Sequence, residues 1–524
     1  MEENNLEEKK ERIYKKFLAE SSNIFLILIL LFAFILRLYF FIKVGNQPLW
    51  WDEAAYGSLA RNLVSHTWDG TKLIVGETLI RPMLFPLLWS ILMRIGINET
   101  GVRFLLELLP SIISVFLVYL IGKELYDKKV GLMASFIFSV LWIHLFYTVR
   151  LLVHMQEVIF LFAGIYYFIK STKEEKIIYK YFILSLIFLS IGTLFRYTNG
   201  IIFFVYFIML IIEKKLLLNH KKFWISGIIG ILPILIFFLI NLTTYGNIFP
   251  ALLGGDYLNP AGSDETPAPY ALNLLKNIPI YLSGFYIMDV PNISIKLLVT
   301  SLFFFFFLIG IFIALFEIII GYNFIVKNRR LKNNLLLILI LVVVYSFFIF
   351  YMKLAEDRYF FPTAISLVCF AAIGLNSFYS IIKKYSKPLA ICLILLILIS
   401  GAYFQLKFAD ELINSKKQSF LQIRQGFEWM KSNVPEGSSV AGLGIEPYVI
   451  YYSKLKTVTL QSEFNQSLIE EADYIILHAF TPQEPYLINY VQNNSNKWIL
   501  EKAFFSDENN QQPAFLIYKK IKTN

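Results

Sequence analysis

Apolar runs dominate the chain from residue 24 to about residue 405, and polar breaks cut them into lengths near the thickness of a bilayer. A helix needs roughly 20 apolar residues to cross the hydrocarbon core. Candidate spans lie at 24–44, 104–122, 131–148, 151–169, 178–195, 199–212, 223–242, 296–320, 334–352, 359–382 and 388–405. About eleven membrane helices are therefore expected, the 199–212 run being the shortest. From about residue 415 the pattern changes. An amphipathic stretch, FLQIRQGFEWM, is followed by short apolar runs (SSVAGL, TVTL, DYIILHA, KWILEKAF, FLIYKK) separated by turn signals such as PEG at 435–437. Short strands alternating with helical stretches predict a small α/β domain. The expected fold is a mostly α polytopic membrane protein with an α/β domain over 415–524.

Composition agrees with a bilayer as the main solvent: 57% of residues are apolar and 16% charged, with 50 Phe and 31 Tyr. The excess of 48 basic over 38 acidic residues would point to nucleic acid in a soluble chain. Here it sits in short loops. Lys123, Lys128 and Lys129; Lys170, Lys173, Lys176 and Lys180; Lys214, Lys215, Lys221 and Lys222; Lys327, Arg329, Arg330 and Lys332; and Lys383, Lys384 and Lys387 fall on alternate loops. Those loops share a side with the basic N-terminal segment, which the positive-inside rule makes cytoplasmic. The expected order is a cytoplasmic tail over 1–22 ending in a retained signal anchor, a membrane domain over 23–410 with outside loops 45–103 and 243–295, and an outside domain from 415. A multi-pass protein of a prokaryotic plasma membrane, with no nucleic-acid partner, is implied. Cys369 and Cys392 both lie in apolar runs, which excludes a disulfide framework and a cysteine metal site.

Candidate chemistry concentrates in the first outside loop, QPLWWDEAAYGSLARNLVSHTWDG, followed by ETLIRPMLFPLLW. Asp52 and Glu53 open a helical stretch with Tyr56, Leu59, Ala60 and Leu63 at helical spacing. Adjacent carboxylates at a helix start have two readings, a cap on the positive end of the helix dipole or a catalytic pair. Other ionisable groups recur at the outside ends of spans: Arg37, Arg103, Glu107, Arg150, His154, Glu157, Arg196, Lys353, Glu356, Asp357 and Arg358. Taken singly, each has an ordinary reading as an ion pair or a snorkelling side chain. Together they suit a cavity whose carboxylates handle protons and whose Arg or Lys hold an anion such as a lipid phosphate. GLG at 442–444 reads as a turn. Neither a DxD motif nor a paired-His arrangement occurs, and HMQE at 154–157 is a loose pair. No cofactor is implied; metal independence is the expectation, with a divalent metal as the alternative.

The segments WDEAAYGSLARNL at 51–63, RPMLFPLLW at 81–89, GVRFLLELLP at 101–110, VGLMASFIFSVLWIHLFYTVR at 130–150 and DRYFFP at 357–362 resemble the dolichyl-phosphate-mannose protein mannosyltransferases. They resemble equally the bacterial lipid A aminoarabinose transferases, within the glycosyltransferase 39-like group of the GT-C fold. The resemblance implies an inverting transfer of a hexosyl or pentosyl group from a polyprenyl-phosphate donor to a hydroxyl acceptor (protein, glycolipid or glycan) on the outer face. It makes Asp52 the general base and gives Glu53 the task of orienting the acceptor or steadying Asp52, with Tyr56 nearby. Arg81, and Arg358 with Tyr359, become the leading candidates to hold the leaving phosphate; Arg150, Arg196 and Lys353 come next. The family often sets an acidic residue a few positions after the Arg, and this sequence departs from that, its nearest carboxylate being Glu157, seven on from Arg150 with His154 between. Trp50, Trp51 and Asp52 also spell the WWD of oligosaccharyltransferases. In those enzymes it lies in the soluble domain, so the match is read as coincidence.

The competing reading is a transporter or flippase of a lipid-linked or amphipathic anionic substrate, which many spans and intramembrane charges also suit. Inverted repeats and broken midplane helices would mark it. Neither is visible in the sequence, and the charges gather at one face.

Overall fold

The computed structural model describes residues 2–64, 82–246, 248, 278–283, 301–352, 356–460, 465–480, 485–507, 509 and 511–521, excepting the side chains of 2–22, 244, 245, 352 and 459. The membrane part is built from α1 (Glu2–Val44), α2 (Trp51–Val64), α3 (Leu84–Arg94), α4 (Glu99–Leu125), α5 (Lys128–Val140), α6 (Trp142–Thr148), α7 (His154–Ser171), α8 (Tyr179–Phe195), α9 (Tyr197–Ile212), α10 (Lys221–Tyr245), α11 (Leu302–Ile320), α12 (Arg329–Tyr351), α13 (Asp357–Lys383) and α14 (Lys387–Lys416). Each expected apolar run holds a helix, although the start of the 296–320 run lies outside the described residues.

Among the described residues, seven helices are long and apolar enough to cross a bilayer: α1, α4 and α10 to α14. The α5–α6 pair, bent by 57°, makes an eighth. The expectation of about eleven is corrected to that extent: α8 and α9 are shorter helices, and α7 is not among the seven. Phe162, Leu161 and Ile165 of α7 pack with Leu186 and Leu189 of α8 and Val205 and Tyr206 of α9 in one core, while Phe204, Phe207 and Ile211 on the other face of α9 stay exposed. Between α11 and α13 the backbones meet at Gly310 and Gly374, where a Cβ on either would collide with the other helix's carbonyl at Phe370 or Phe306.

Two charge clusters give the bundle two distinct ends. At one end, Glu124 of α4 pairs with Lys173 after α7 at 2.9 Å and with Arg329 of α12 at 2.9 Å, and Glu213 after α9 pairs with Lys332 at 3.4 Å. The lysine-rich loops therefore converge. At the other end lie α2, α3 and the long continuation of α14. The apolar run stops at residue 405, yet the helix reaches Lys416, and Lys43 of α1 grips it at Asp410 over 2.5 Å.

Beyond α14, α15 (Leu421–Asn433) leads into a five-stranded sheet of order β2-β1-β3-β5-β4, formed by β1 (Ser439–Gly442), β2 (Lys456–Thr459), β3 (Tyr474–His478), β4 (Trp498–Phe505) and β5 (Pro513–Lys520). β1 lies parallel to β2 and β3, while β5 runs antiparallel to β3 and β4. One face packs Phe515, Ile517 and Val440 on Ile423, Phe427 and Met430 of α15, and that core continues without a break into Ala54, Tyr56, Ala60, Phe85 and Trp89 of α2 and α3. The other face packs Ile475 and Trp498 on Leu487, Tyr490 and Val491. The α/β domain is thus joined to the α2 end of the bundle by a shared apolar core.

Candidate active site

The first turn of α2 divides its two carboxylates between two tasks. Glu53, fully buried, reaches back so that Oε2 accepts the Trp50 backbone N–H at 2.6 Å, the return half of a capping box. Its Oε1 accepts the Leu151 N–H at 2.6 Å, and Arg150 lies 3.5 Å from Oε2. Arg150 is itself enclosed, its guanidinium 3.8 Å from the Trp50 ring and donating to the Lys416 carbonyl at 3.0 Å. Glu53 and Arg150 therefore bolt the start of α2 to the α6–α7 turn and to the end of α14. The turn ahead of α2 is held by Arg103, which donates to the carbonyls of Gly45 and Gln47 at 3.2 and 3.5 Å and pairs with Glu99 at 3.2 Å.

Asp52 points the other way. Its Oδ2 lies 2.5 Å from Nη1 of Arg358, a residue 306 positions further on, and both side chains keep partial exposure, 25% and 21%. Arg358 stands on the turn Asp357–Phe360 that opens α13, and its Nε also pairs with Glu356 at 2.5 Å. The Tyr281 hydroxyl donates to the carbonyl of Asp357 and so fixes that turn.

A second guanidinium adjoins the first. Arg196, between α8 and α9, lies 4.4 Å from the Tyr359 ring, and Arg358 lies 5.5 Å from the same ring. Nη1 of Arg196 bonds to His154 Nδ1 at 2.8 Å, to Glu157 at 3.3 Å and to the Arg358 carbonyl at 3.5 Å. Tyr56 is buried edge-on against Phe85 at 5.3 Å and within Coulomb range of Arg196. The arrangement is a partly exposed carboxylate beside two cations flanking one phenol ring, a set of groups that can take a proton and hold a phosphate. Of the expected site residues, Asp52, Tyr56, Glu157, Arg196, Arg358 and Tyr359 come together here. Glu53 and Arg150 form the layer beneath, and Arg81 and Lys353 lie outside the described residues.

Arg37 belongs to neither layer. Fully buried, it donates to Ser111 Oγ at 2.9 Å, to the carbonyls of Ala33 and Ser139 at 3.2 and 3.0 Å, and to His144 Nδ1 at 2.8 Å. His144 Nε2 then meets Ser114 at 3.0 Å. That network ties α1 to α4, α5 and α6 and is structural. Among the described residues, no group of three or more His, Cys, Asp or Glu side chains could hold a metal ion. Sequence reasoning missed the hydrogen bond from Arg196 to His154 and the approach of residues 446–453 to α2. Nothing in local periodicity signals either.

A family model described as dolichyl-phosphate-mannose-protein mannosyltransferase matches residues 80–240. No curated protein sequence matches the chain. Among solved structures, ArnT from Cupriavidus metallidurans bound to undecaprenyl phosphate superposes with a TM-score of 0.57 at 10% identity, covering 94% of this chain and 97% of that one. The fold is that of the GT-C glycosyltransferases. The Archaeoglobus fulgidus oligosaccharyltransferase tethered with an acceptor peptide superposes at 0.59 with 14% identity over 86% of this chain and 69% of that one. The arabinofuranosyltransferase AftD from Mycobacteria gives 0.53 at 10% identity over 94% of this chain and 40% of that one. The GT-C likeness takes in the bundle and, in ArnT, nearly the whole length of both chains.

Proposed function

We propose that the protein is an inverting membrane glycosyltransferase that moves a hexosyl or pentosyl group from a polyprenyl-phosphate donor to a hydroxyl on a protein, glycolipid or glycan at the outer face of a prokaryotic plasma membrane. One observation carries the reading: the contact between Asp52 and Arg358, with Arg196 against the adjoining Tyr359. A sugar hydroxyl is a weak nucleophile at neutral pH, so a carboxylate in hydrogen-bond reach must take its proton as the new bond forms. Asp52 fills that role. The departing phosphate gathers negative charge, which Arg358 and Arg196 are placed to offset. Arg358 touches both sides of the reaction, the base through Nη1 and the cation pair through Tyr359, so it also couples the position of Asp52 to that of the donor phosphate.

Glu53 acts from below by fixing the helix that carries Asp52. The ArnT structure binds undecaprenyl phosphate, and the family match has a dolichyl-phosphate sugar in its description, which supports a lipid-linked donor over a soluble nucleotide sugar. Metal-independent chemistry suits the cation pair. The test is transfer by purified protein in liposomes from a panel of labelled polyprenyl-phosphate sugars into a detergent extract of the native envelope, with and without EDTA. Transfer from at least one lipid-linked sugar, insensitive to EDTA, is expected. Movement of intact labelled lipid across the bilayer without sugar release would favour the transport reading instead.

A further inference from the structure

The soluble domain lends a short segment to the active-site helix. Gly444, in the left-handed region at φ +66, turns the chain out of β1, and the helix Glu446–Tyr448 then runs into a π turn, Val449–Ser453. This segment lies along α2. Ser58 donates to the Pro447 carbonyl at 2.7 Å, and the Leu49 N–H donates to the Tyr452 hydroxyl at 3.1 Å. Tyr451 donates to Glu99 at 2.9 Å, with the Arg61 guanidinium 4.3 Å from its ring. A Cβ at Gly57 would stand 2.6 Å from the Tyr451 ring, so the contact needs glycine there.

The hydroxyls of Tyr451 and Tyr452 are thus accounted for. That of Tyr448 is not: the residue is 1% exposed and its Oη has no hydrogen-bond partner among the described residues. A buried hydroxyl left unpaired costs about 1 to 3 kcal/mol, and such a group in a folded protein calls for an explanation, a water or a bound ligand being two. Its ring is held by Phe420 at 6.1 Å and by Tyr452, stacked at 6.4 Å. Burial, with the neighbouring Tyr452 and the carboxylates of Glu53 and Asp52 adding to it, holds the phenol well above its ordinary pKa, so it stays a donor.

We propose that Tyr448 is an acceptor-binding residue supplied by the soluble domain, its hydroxyl donating to an oxygen of the hydroxyl-bearing substrate as that substrate lies against Asp52. The inference rests on the glycosyltransferase reading and adds to it that the domain forms the acceptor wall of the site. In the proposed reaction Arg196 and Arg358 hold the phosphate, which leaves the Tyr448 hydroxyl, on the segment bonded to α2 through Ser58, for the acceptor.

Tyr448→Phe removes one oxygen and keeps the ring. In the liposome assay, with a detergent extract of the native envelope as the titrated acceptor, the half-saturating amount of extract should rise about tenfold, the loss expected of one neutral hydrogen bond. Donor KM should hold, and the melting temperature should stay level or rise because an unpaired buried hydroxyl is gone. A merely structural hydroxyl would leave acceptor saturation unmoved, and that result overturns the proposal; so does a rise confined to donor KM. A wild-type protein inactive with every lipid-linked sugar would remove the underlying reading along with it, whereas an active wild type with an unaltered Tyr448→Phe variant removes the Tyr448 assignment alone.

Discussion

Asp52 and Glu53 are adjacent, chemically alike and opposite in use. Glu53 spends both oxygens on backbone N–H groups and faces Arg150 in a closed layer. Glu53→Gln should therefore act on folding, because removing one partner of a buried pair strands the other charge at a cost of about 3 to 5 kcal/mol. A thermal melt in detergent should show a large drop, and an unchanged melt would refute the structural role. Arg358 has the reverse profile, partly exposed and touching Asp52. Arg358→Gln should lower kcat/KM by about 10²- to 10³-fold, the loss seen when a preorganised charge partner of a transition state is removed, with the melt preserved. The DE pair was legible in the sequence as a helix start and as candidate chemistry. Which carboxylate did which was not, because the answer lies in the Leu151 N–H and in a guanidinium 306 positions away.

Helices and strands were more legible than their limits. Hydropathy located the apolar runs because a bilayer imposes a length on any helix it solvates, and it overstated α8 and α9, which are shorter than a span needs. The strands followed from alternation bounded by turn residues, and all five are where SSVAGL, TVTL, DYIILHA, KWILEKAF and FLIYKK placed them. The π turn over 449–453 has neither period and was invisible. At this scale Gly374→Leu should separate α13 from α11, whose Phe306 carbonyl it would strike; a lowered melting temperature and poor recovery of folded protein are the expected result. His478 of β3 offers a pH test. Its Nδ1 accepts the Phe480 N–H at 3.3 Å while Nε2 meets the Leu443 carbonyl at 2.8 Å, and burial lowers its pKa. The fold thus binds fewer protons here than the unfolded chain does. The contribution is intact above the unfolded value of about 6.5 and is lost as pH falls below it toward the folded pKa. Melts between pH 7.5 and 5 should fall more steeply in the wild type than in His478→Gln.

The whole molecule has two unlike ends, which positive-inside reasoning predicts because lysine-rich loops repeat on alternate connections. What it could not reach was the docking of the α/β domain on α2 through a shared core, since apolar residues inside a soluble domain do not announce their partner. Sidedness has its own test. With Cys392 replaced by serine and Cys369 buried, a membrane-impermeant maleimide on intact cells should label Glu436→Cys in the soluble domain and leave Lys384→Cys unlabelled until the cells are opened. In the proposed reaction Asp52 is the base that receives the acceptor's proton. The most direct measurement is the rate of label transfer from a polyprenyl-phosphate sugar by Asp52→Asn and wild-type protein in matched liposomes, with equal melting temperatures as the control. Loss of about 10²- to 10⁴-fold in kcat, the usual reach of general-base catalysis, with donor KM little changed is the expected result, and transfer at the wild-type rate would contradict it.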